Sequence, residues 1–143
     1  MRYAEVREDQ LDLIVHAYME YYNARGGTWT YEKAYRRIHQ VAAMENSLVI
    51  LQFDNDTPVG FLMGWYKQFD DSLGFYLEEI LVFSAYQNKG YGSSLLAYLR
   101  ETVKKNDCAW IELVTTTGAE HQGFYKKNGY TRSDTLTLMY LDL

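Results

Sequence analysis

The stretch Gln87-Asn88-Lys89-Gly90-Tyr91-Gly92-Ser93 places two glycines and a lysine where a β-rich run gives way to helical spacing. Glycines at a strand-to-helix junction let the backbone come close to a ligand, and the amides that open a helix point outward with the positive end of its dipole. The chemistry of such a turn is anion binding, of a pyrophosphate above all, with Lys89 as a mobile positive charge. A plain turn whose glycines serve only its geometry uses the same residues, so context has to decide. A Walker A loop needs G-x-x-x-x-G-K-[ST], which is absent, and a dinucleotide fingerprint needs a third small residue where Leu95 stands. Glu78 and Glu79, directly before Ile80-Leu81-Val82, are carboxylates able to take a proton from an amine. The Tyr125 phenol, with an ordinary pKa of ~10, keeps its proton at neutral pH and is able to give it up. His121, one helical turn before Tyr125, reads as a surface histidine, and Cys108 as a packing residue.

Two amphipathic helices precede the sheet that must hold these groups. Residues 2–7 read as a short strand, and Asp9 is the expected N-cap of a helix with Leu11, Ile14, Val15, Tyr18 and Tyr22 on one face, ended by Gly26-Gly27. Thr30 is the expected cap of a second amphipathic helix, with Tyr31, Ala34, Tyr35, Ile38 and Ala42 on one face, running to about Met44. Residues 47–53 and 59–66 form a hairpin through the turn 54–58, and residues 73–83 add a third strand, giving an antiparallel meander. Residues 90–105 return to helical spacing, and 109–115 form a strand, so strand, helix and strand make a crossover unit that is normally parallel. A short helix over 120–128, stopped by Gly129, and a last strand over 135–141 complete the pattern. Within a regular strand Glu78 and Glu79 point to opposite faces, so only one reaches a given site unless a bulge intervenes.

Composition narrows the function classes. With 143 residues the chain is expected to form a single domain, residues 1–143, that buries ~70% of its unfolded surface. Fourteen Lys and Arg against nineteen Asp and Glu give a net charge of -5, which disfavours a nucleic-acid partner and favours cationic ones. No apolar run approaches the ~18 residues of a membrane span, and the opening MRYAEVREDQ lacks the apolar core of a secretory signal, so a cytoplasmic protein without membrane contact is expected. One cysteine excludes an internal disulfide, and His16, His39 and His121 lack zinc-site spacing, so no metal is expected. The fourteen tyrosines read as packing on strands and helix faces.

Gln87-x-x-Gly90-x-Gly92, opening a helix after a mostly antiparallel sheet, resembles the GNAT superfamily of acyl-CoA-dependent N-acetyltransferases, whose signature is [QR]-x-x-G-x-[GA] between a strand and a helix. Gly123-Phe124-Tyr125-Lys126-Lys127-Asn128-Gly129-Tyr130 is similar to the family's later F-Y-x-x-x-G-[FY] segment; Gly118 and His121 depart from the Asn and Ala that many relatives carry. The resemblance implies an α/β fold with a mixed sheet, an antiparallel meander followed by a strand-helix-strand unit that binds CoA. It implies acetyl-CoA as cosubstrate, its pantetheine along Ile80, Leu81 and Val82, and its pyrophosphate on Asn88, Lys89, Gly90, Tyr91, Gly92 and Ser93, led by Gln87. Glu-Glu-Ile-Leu-Val is similar to the stretch in spermidine/spermine N-acetyltransferases whose glutamate, at the Glu78 position, is a proposed base acting through water, which ranks Glu78 above Glu79. Tyr125 is implied as the proton donor to the departing CoA thiolate. The expected function is acetyl transfer to a small cationic primary amine by direct attack, in a monomer or homodimer. Its rivals are a non-catalytic acyl-CoA-binding regulatory module and an acetyltransferase for protein or peptide amines.

Overall fold

Leu48-Val49-Ile50-Leu51 and Phe61-Leu62-Met63 are buried without the alternation of a half-exposed sheet, so both faces of the central strands must be covered. The computed structural model describes residues 1–143 and does cover them. Its elements run β1 (Arg2–Glu5), α1 (Asp12–Asn23), α2 (Tyr31–Ala42), β2 (Ser47–Asp54), β3 (Thr57–Gln68), β4 (Leu73–Val82), a short 3-10 turn (Ser84–Tyr86), α3 (Tyr91–Lys105), β5 (Cys108–Leu113) and α4 (Ala119–Lys127). The strands form one sheet in the order β1-β2-β3-β4-β5. The first three pairings are antiparallel and the sheet is mixed, so the β4–β5 pair supplies its parallel part, as a strand-helix-strand crossover requires.

Val49, Leu51, Phe61, Met63 and Leu81 pack with Leu11, Ile14, Val15 and Tyr18 of the α1 segment and Ala34, Ile38 and Val41 of α2. Ile50 and Leu62, which alternate with them, point to the opposite side, where α3 lies on β3 and β4 with Leu95, Leu96, Leu99 and Val103 buried. The chain divides into two units, Met1–Glu112 and Leu113–Leu143. The second unit contains α4, ended by Asn128 and by Gly129 at a φ of 93°, where glycine is the residue of least strain.

Four local expectations are corrected. Asp9 does not cap α1: it pairs with Arg7, and the helix opens after Leu11, whose burial in the core fixes where the first turn begins. Pro58 lies inside β3, opposite Phe53, and the reversal is made by Asn55, at a φ of 55°, and Asp56. Tyr31 and Tyr35 are exposed, with Tyr35 stacked on His39; the buried stripe of α2 is Ala34, Ile38 and Val41. Residues 135–141 form no strand. The Ser133 hydroxyl accepts hydrogen bonds from the amides of Thr135 (3.2 Å) and Leu136 (3.0 Å), a local turn that competes with sheet pairing. Thr30 caps α2 as expected, its Oγ1 accepting from the Lys33 amide at 3.2 Å.

Candidate active site

The β3–β4 ladder contains one irregularity, and it falls at the carboxylates. Met63 stands opposite Glu79 and Gly64 opposite Leu77, which leaves Glu78 as the extra residue of a β-bulge. Gly64 makes the bulge feasible: a Cβ there would lie 2.1 Å from the Tyr76 carbonyl oxygen and 2.7 Å from the Phe75 ring. The bulge breaks the period of two, so Glu78 and Glu79 turn to the same partner. Arg37 Nη2 donates to Glu78 Oε1 at 2.8 Å and lies 3.6 Å from Glu79 Oε2. The regular-strand expectation that the pair points to opposite faces thus meets its stated exception, a bulge.

Two helices bring the rest of this cluster. Tyr22 of α1 donates its hydroxyl to Glu79 Oε1 at 2.9 Å, and its ring packs on Tyr18 with centroids 4.6 Å apart. Burial, followed by Glu79 itself, pushes the Tyr22 phenol far above its ordinary range, so Tyr22 is a donor only. Burial raises the Glu79 carboxyl; the Tyr22 hydrogen bond and Arg37 pull it down, and Glu78 raises it again, for a net rise. Burial opposes the charge on Arg37, but Glu78, Tyr18 and Glu79 together hold its pKa above the usual value.

After β4 the chain passes the short 3-10 turn and reaches Gln87, whose Nε2 donates to the Val82 carbonyl at 3.1 Å and ties the turn back to the strand. Asn88 has a φ of 61° and Gly90 a φ of 85°, both left-handed, and Gly90 is the N-cap of α3. A Cβ at Gly90 would meet nothing within 4 Å. Glycine is favoured there by the backbone angle, and the space in front of it is open, as a phosphate cradle needs. Lys89 Nζ lies 5.8 Å from the Tyr86 ring centroid. Ile80, Leu81 and Val82 pair with Leu62, Phe61 and Gly60 of β3 along one edge of β4.

Sequence reasoning missed the supports behind this turn. Gln52 is fully buried, its Nε2 donating to the Tyr91 carbonyl at 3.1 Å while its Oε1 has no hydrogen-bond partner. The Tyr91 hydroxyl donates to the Asp54 carboxylate, which raises the phenol's pKa. A lone glutamine inside Leu48-Val49-Ile50-Leu51-Gln52-Phe53 was the available signal, since a buried amide in an apolar strand has to be held by something. Nothing comparable marks Arg37 or Tyr22, whose meaning comes from helix placement.

Tyr125 belongs to the second unit, where its ring packs edge-on against Phe124 at 5.1 Å and Tyr130 at 5.7 Å. His121 shares a 2.7 Å hydrogen bond with the Thr116 hydroxyl, and Gly118 is the extended N-cap of α4. Cys108 donates from Sγ to the Trp110 carbonyl at 3.2 Å, and burial raises its pKa, the opposite of an activated thiolate.

The family described as "Acetyltransferase (GNAT) family" matches residues 11–130. No curated protein matches the sequence. Among solved structures, a probable acetyltransferase is similar at 16% identity with a TM-score of 0.84, the match covering 100% of this chain and 98% of that one. An aminoglycoside acetyltransferase from an uncultured soil metagenomic sample, in complex with sisomicin, is similar at 12% identity and a TM-score of 0.76, covering 99% and 95%. A transcriptional regulator from Bacillus halodurans C-125 is similar at 20% identity and a TM-score of 0.77, covering 98% and 99%. At these identities the likeness is one of fold.

Proposed function

The chain belongs to the GNAT acetyltransferase family, and from that premise we propose that it transfers acetyl from acetyl-CoA to a small cationic primary amine. The observation that carries this reading is a single continuous stretch of chain. It runs from the bulged carboxylates Glu78 and Glu79, through the β4 segment Ile80-Leu81-Val82, to the left-handed Gly90 that opens α3. Amides at the start of α3, with Lys89, hold the pyrophosphate of the cosubstrate, and Gln87, Asn88, Tyr91, Gly92 and Ser93 shape that cradle. Ile80, Leu81 and Val82 carry the pantetheine arm.

In the reaction a glutamate takes a proton from the ammonium, and the freed nitrogen lone pair attacks the thioester carbon. The nitrogen of the tetrahedral intermediate, cationic after the attack, gives its second proton to water, the intermediate collapses with cleavage of the C–S bond, and Tyr125 gives its phenolic proton to the leaving thiolate and regains one from solvent. Direct attack needs no covalent enzyme intermediate, in keeping with the raised pKa of Cys108. Two carboxylates against one guanidinium leave the cluster with a net negative charge when both are ionised, which suits a cationic acceptor. An aminoglycoside, the polycationic acceptor class of one structural relative, is a member of the class proposed.

The test is acetyl-CoA turnover, read as released thiol, over polyamines, aminoglycosides, amino acids and peptides. Cationic small amines are expected to be the best acceptors. CoA binding without thiol release on any amine would overturn the reading in favour of a non-catalytic module, and preference for peptide amines would move the acceptor class.

A further inference from the structure

Two adjacent glutamates of the same chemistry are placed in unequal surroundings, and the difference assigns them different work. Arg37 Nη2 sits 2.8 Å from Glu78 Oε1, a charge-assisted hydrogen bond, but 3.6 Å from Glu79 Oε2, beyond hydrogen-bond reach. Glu79 is anchored through its other oxygen, which accepts the Tyr22 hydroxyl at 2.9 Å. Glu78 thus has a committed counter-ion, whereas Glu79 is oriented and keeps one oxygen that no side-chain donor holds.

We propose that Arg37 and Tyr22 are positioning residues that divide the pair: Arg37 retains Glu78 as its counter-ion, and Tyr22 fixes Glu79 so that its Oε2 takes the proton of the acceptor amine. The inference deepens the acetyl-transfer reading and rests on it for the identity of the proton's source. In the step itself the ammonium N–H bond breaks, the proton passes to Glu79 Oε2 directly or through one water, and the bonding pair stays on nitrogen for the attack.

Charge and burial point the same way. One guanidinium cannot neutralise two carboxylates, and the Glu79 side chain is the more enclosed, at 14% exposure against 24% for Glu78. The carboxylate that is harder to keep charged is the better proton acceptor near neutral pH. The raised pKa of Glu79 agrees with this ordering. The groups facing Glu79 are Tyr18 and Tyr22 from α1, Arg37 from α2 and Glu78 from β4, while β3 opposes it with Met63. Removal of each therefore has a definite sign. Loss of the Arg37 charge or of the Tyr22 hydrogen bond makes protonation of Glu79 easier, and loss of the Glu78 charge makes it harder.

The test begins without an acceptor. In protein labelled with 13C-glutamate, the side-chain carboxyl resonances are titrated by NMR in the native chain and in Glu78→Gln, Glu79→Gln, Arg37→Gln, Arg37→Lys and Tyr22→Phe. The expected result is one carboxyl titrating above the others that disappears in Glu79→Gln. Its midpoint should move to higher pH in Arg37→Gln and Tyr22→Phe, move to lower pH in Glu78→Gln, and return towards native in Arg37→Lys. With acetyl-CoA and spermidine, Glu79→Gln should lower kcat by ~10² to 10⁴, and the acidic limb of kcat/KM should follow the same order of shifts. Disappearance of the elevated carboxyl in Glu78→Gln instead, or a midpoint indifferent to Arg37→Gln in a folded variant, would overturn the division of roles. Should native protein fail to acetylate any amine, the acetyl-transfer reading falls, while the titration still decides which glutamate holds the proton.

Discussion

Glu79 shows how one residue links stability to chemistry. Its carboxyl is raised in the folded protein, first by burial, so between the unfolded and folded pKa values the folded state binds more protons than the unfolded chain. Stability from this group is fully present below the unfolded value and is lost as pH rises through the folded one. Chemical denaturation over a pH series should therefore show a decline in that window which Glu79→Gln flattens; an unchanged slope in the variant would mean that Glu79 is not perturbed. Tyr125→Phe supplies the complementary prediction. The ring and its contacts with Phe124 and Tyr130 are retained, so acetyl-CoA affinity should stay within a few-fold while kcat falls by ~10² to 10⁴. Turnover near the native value, with chemistry shown to limit the rate, would remove Tyr125 as proton donor. Glu78, Glu79 and Tyr125 stood out in the sequence as candidates, the glutamates as adjacent carboxylates directly before Ile80-Leu81-Val82 and Tyr125 through the segment Gly123-Phe124-Tyr125-Lys126-Lys127-Asn128-Gly129-Tyr130. Arg37, Tyr22 and Asp54 did not, since each acquires its place from a partner far away in the chain: Arg37 from Glu78, Tyr22 from Glu79 and Asp54 from Tyr91.

The bulge in β4 is where element geometry becomes site geometry. Gly64 occupies a position at which a methyl group would collide with the Tyr76 carbonyl, a backbone atom that cannot yield without shifting the strand. Gly64→Ala should destabilise the protein by about 1–3 kcal/mol, the usual range for overpacking. It should also loosen the hold of Arg37 on the glutamates, visible as an altered acidic limb in a variant that still folds. A loss of stability without any change in that limb would separate the bulge from the carboxylates. The meander, α3 and α4 were readable because apolar spacing and glycine stops agree along them, as at Leu95, Leu96, Leu99 and Val103. The bulge was not readable, because Gly64 carries no sign of what lies across from it. The expected strand over 135–141 failed for a local reason, the Ser133 hydroxyl taking two of the amides that would start it.

At the scale of the whole molecule the chain divides into the units Met1–Glu112 and Leu113–Leu143. The family match runs over residues 11–130 and so crosses from the unit Met1–Glu112 into Leu113–Leu143. The first unit contains the carboxylate cluster and the glycine turn, and its stability should respond to anything that binds them. CoA, bound by the folded state alone, should raise the unfolding free energy by RT ln(1 + [L]/Kd), about 2.7 kcal/mol at a hundredfold excess over Kd, and raise Tm accordingly. Gly90 is the position at which to interrupt this. Its φ of 85° strains any substituted side chain, and a valine there would also fill the open space in front of the turn. Gly90→Val should therefore lower the Tm of the free protein and, separately, abolish most of the CoA-dependent increment. The increment is the decisive quantity, because backbone strain acts on free and bound protein alike whereas a blocked cradle acts only on the bound state. A Gly90→Val protein that unfolds earlier but gains the full increment with CoA would show that the pyrophosphate lies elsewhere, and the assignment of Lys89 and the start of α3 would fall with it.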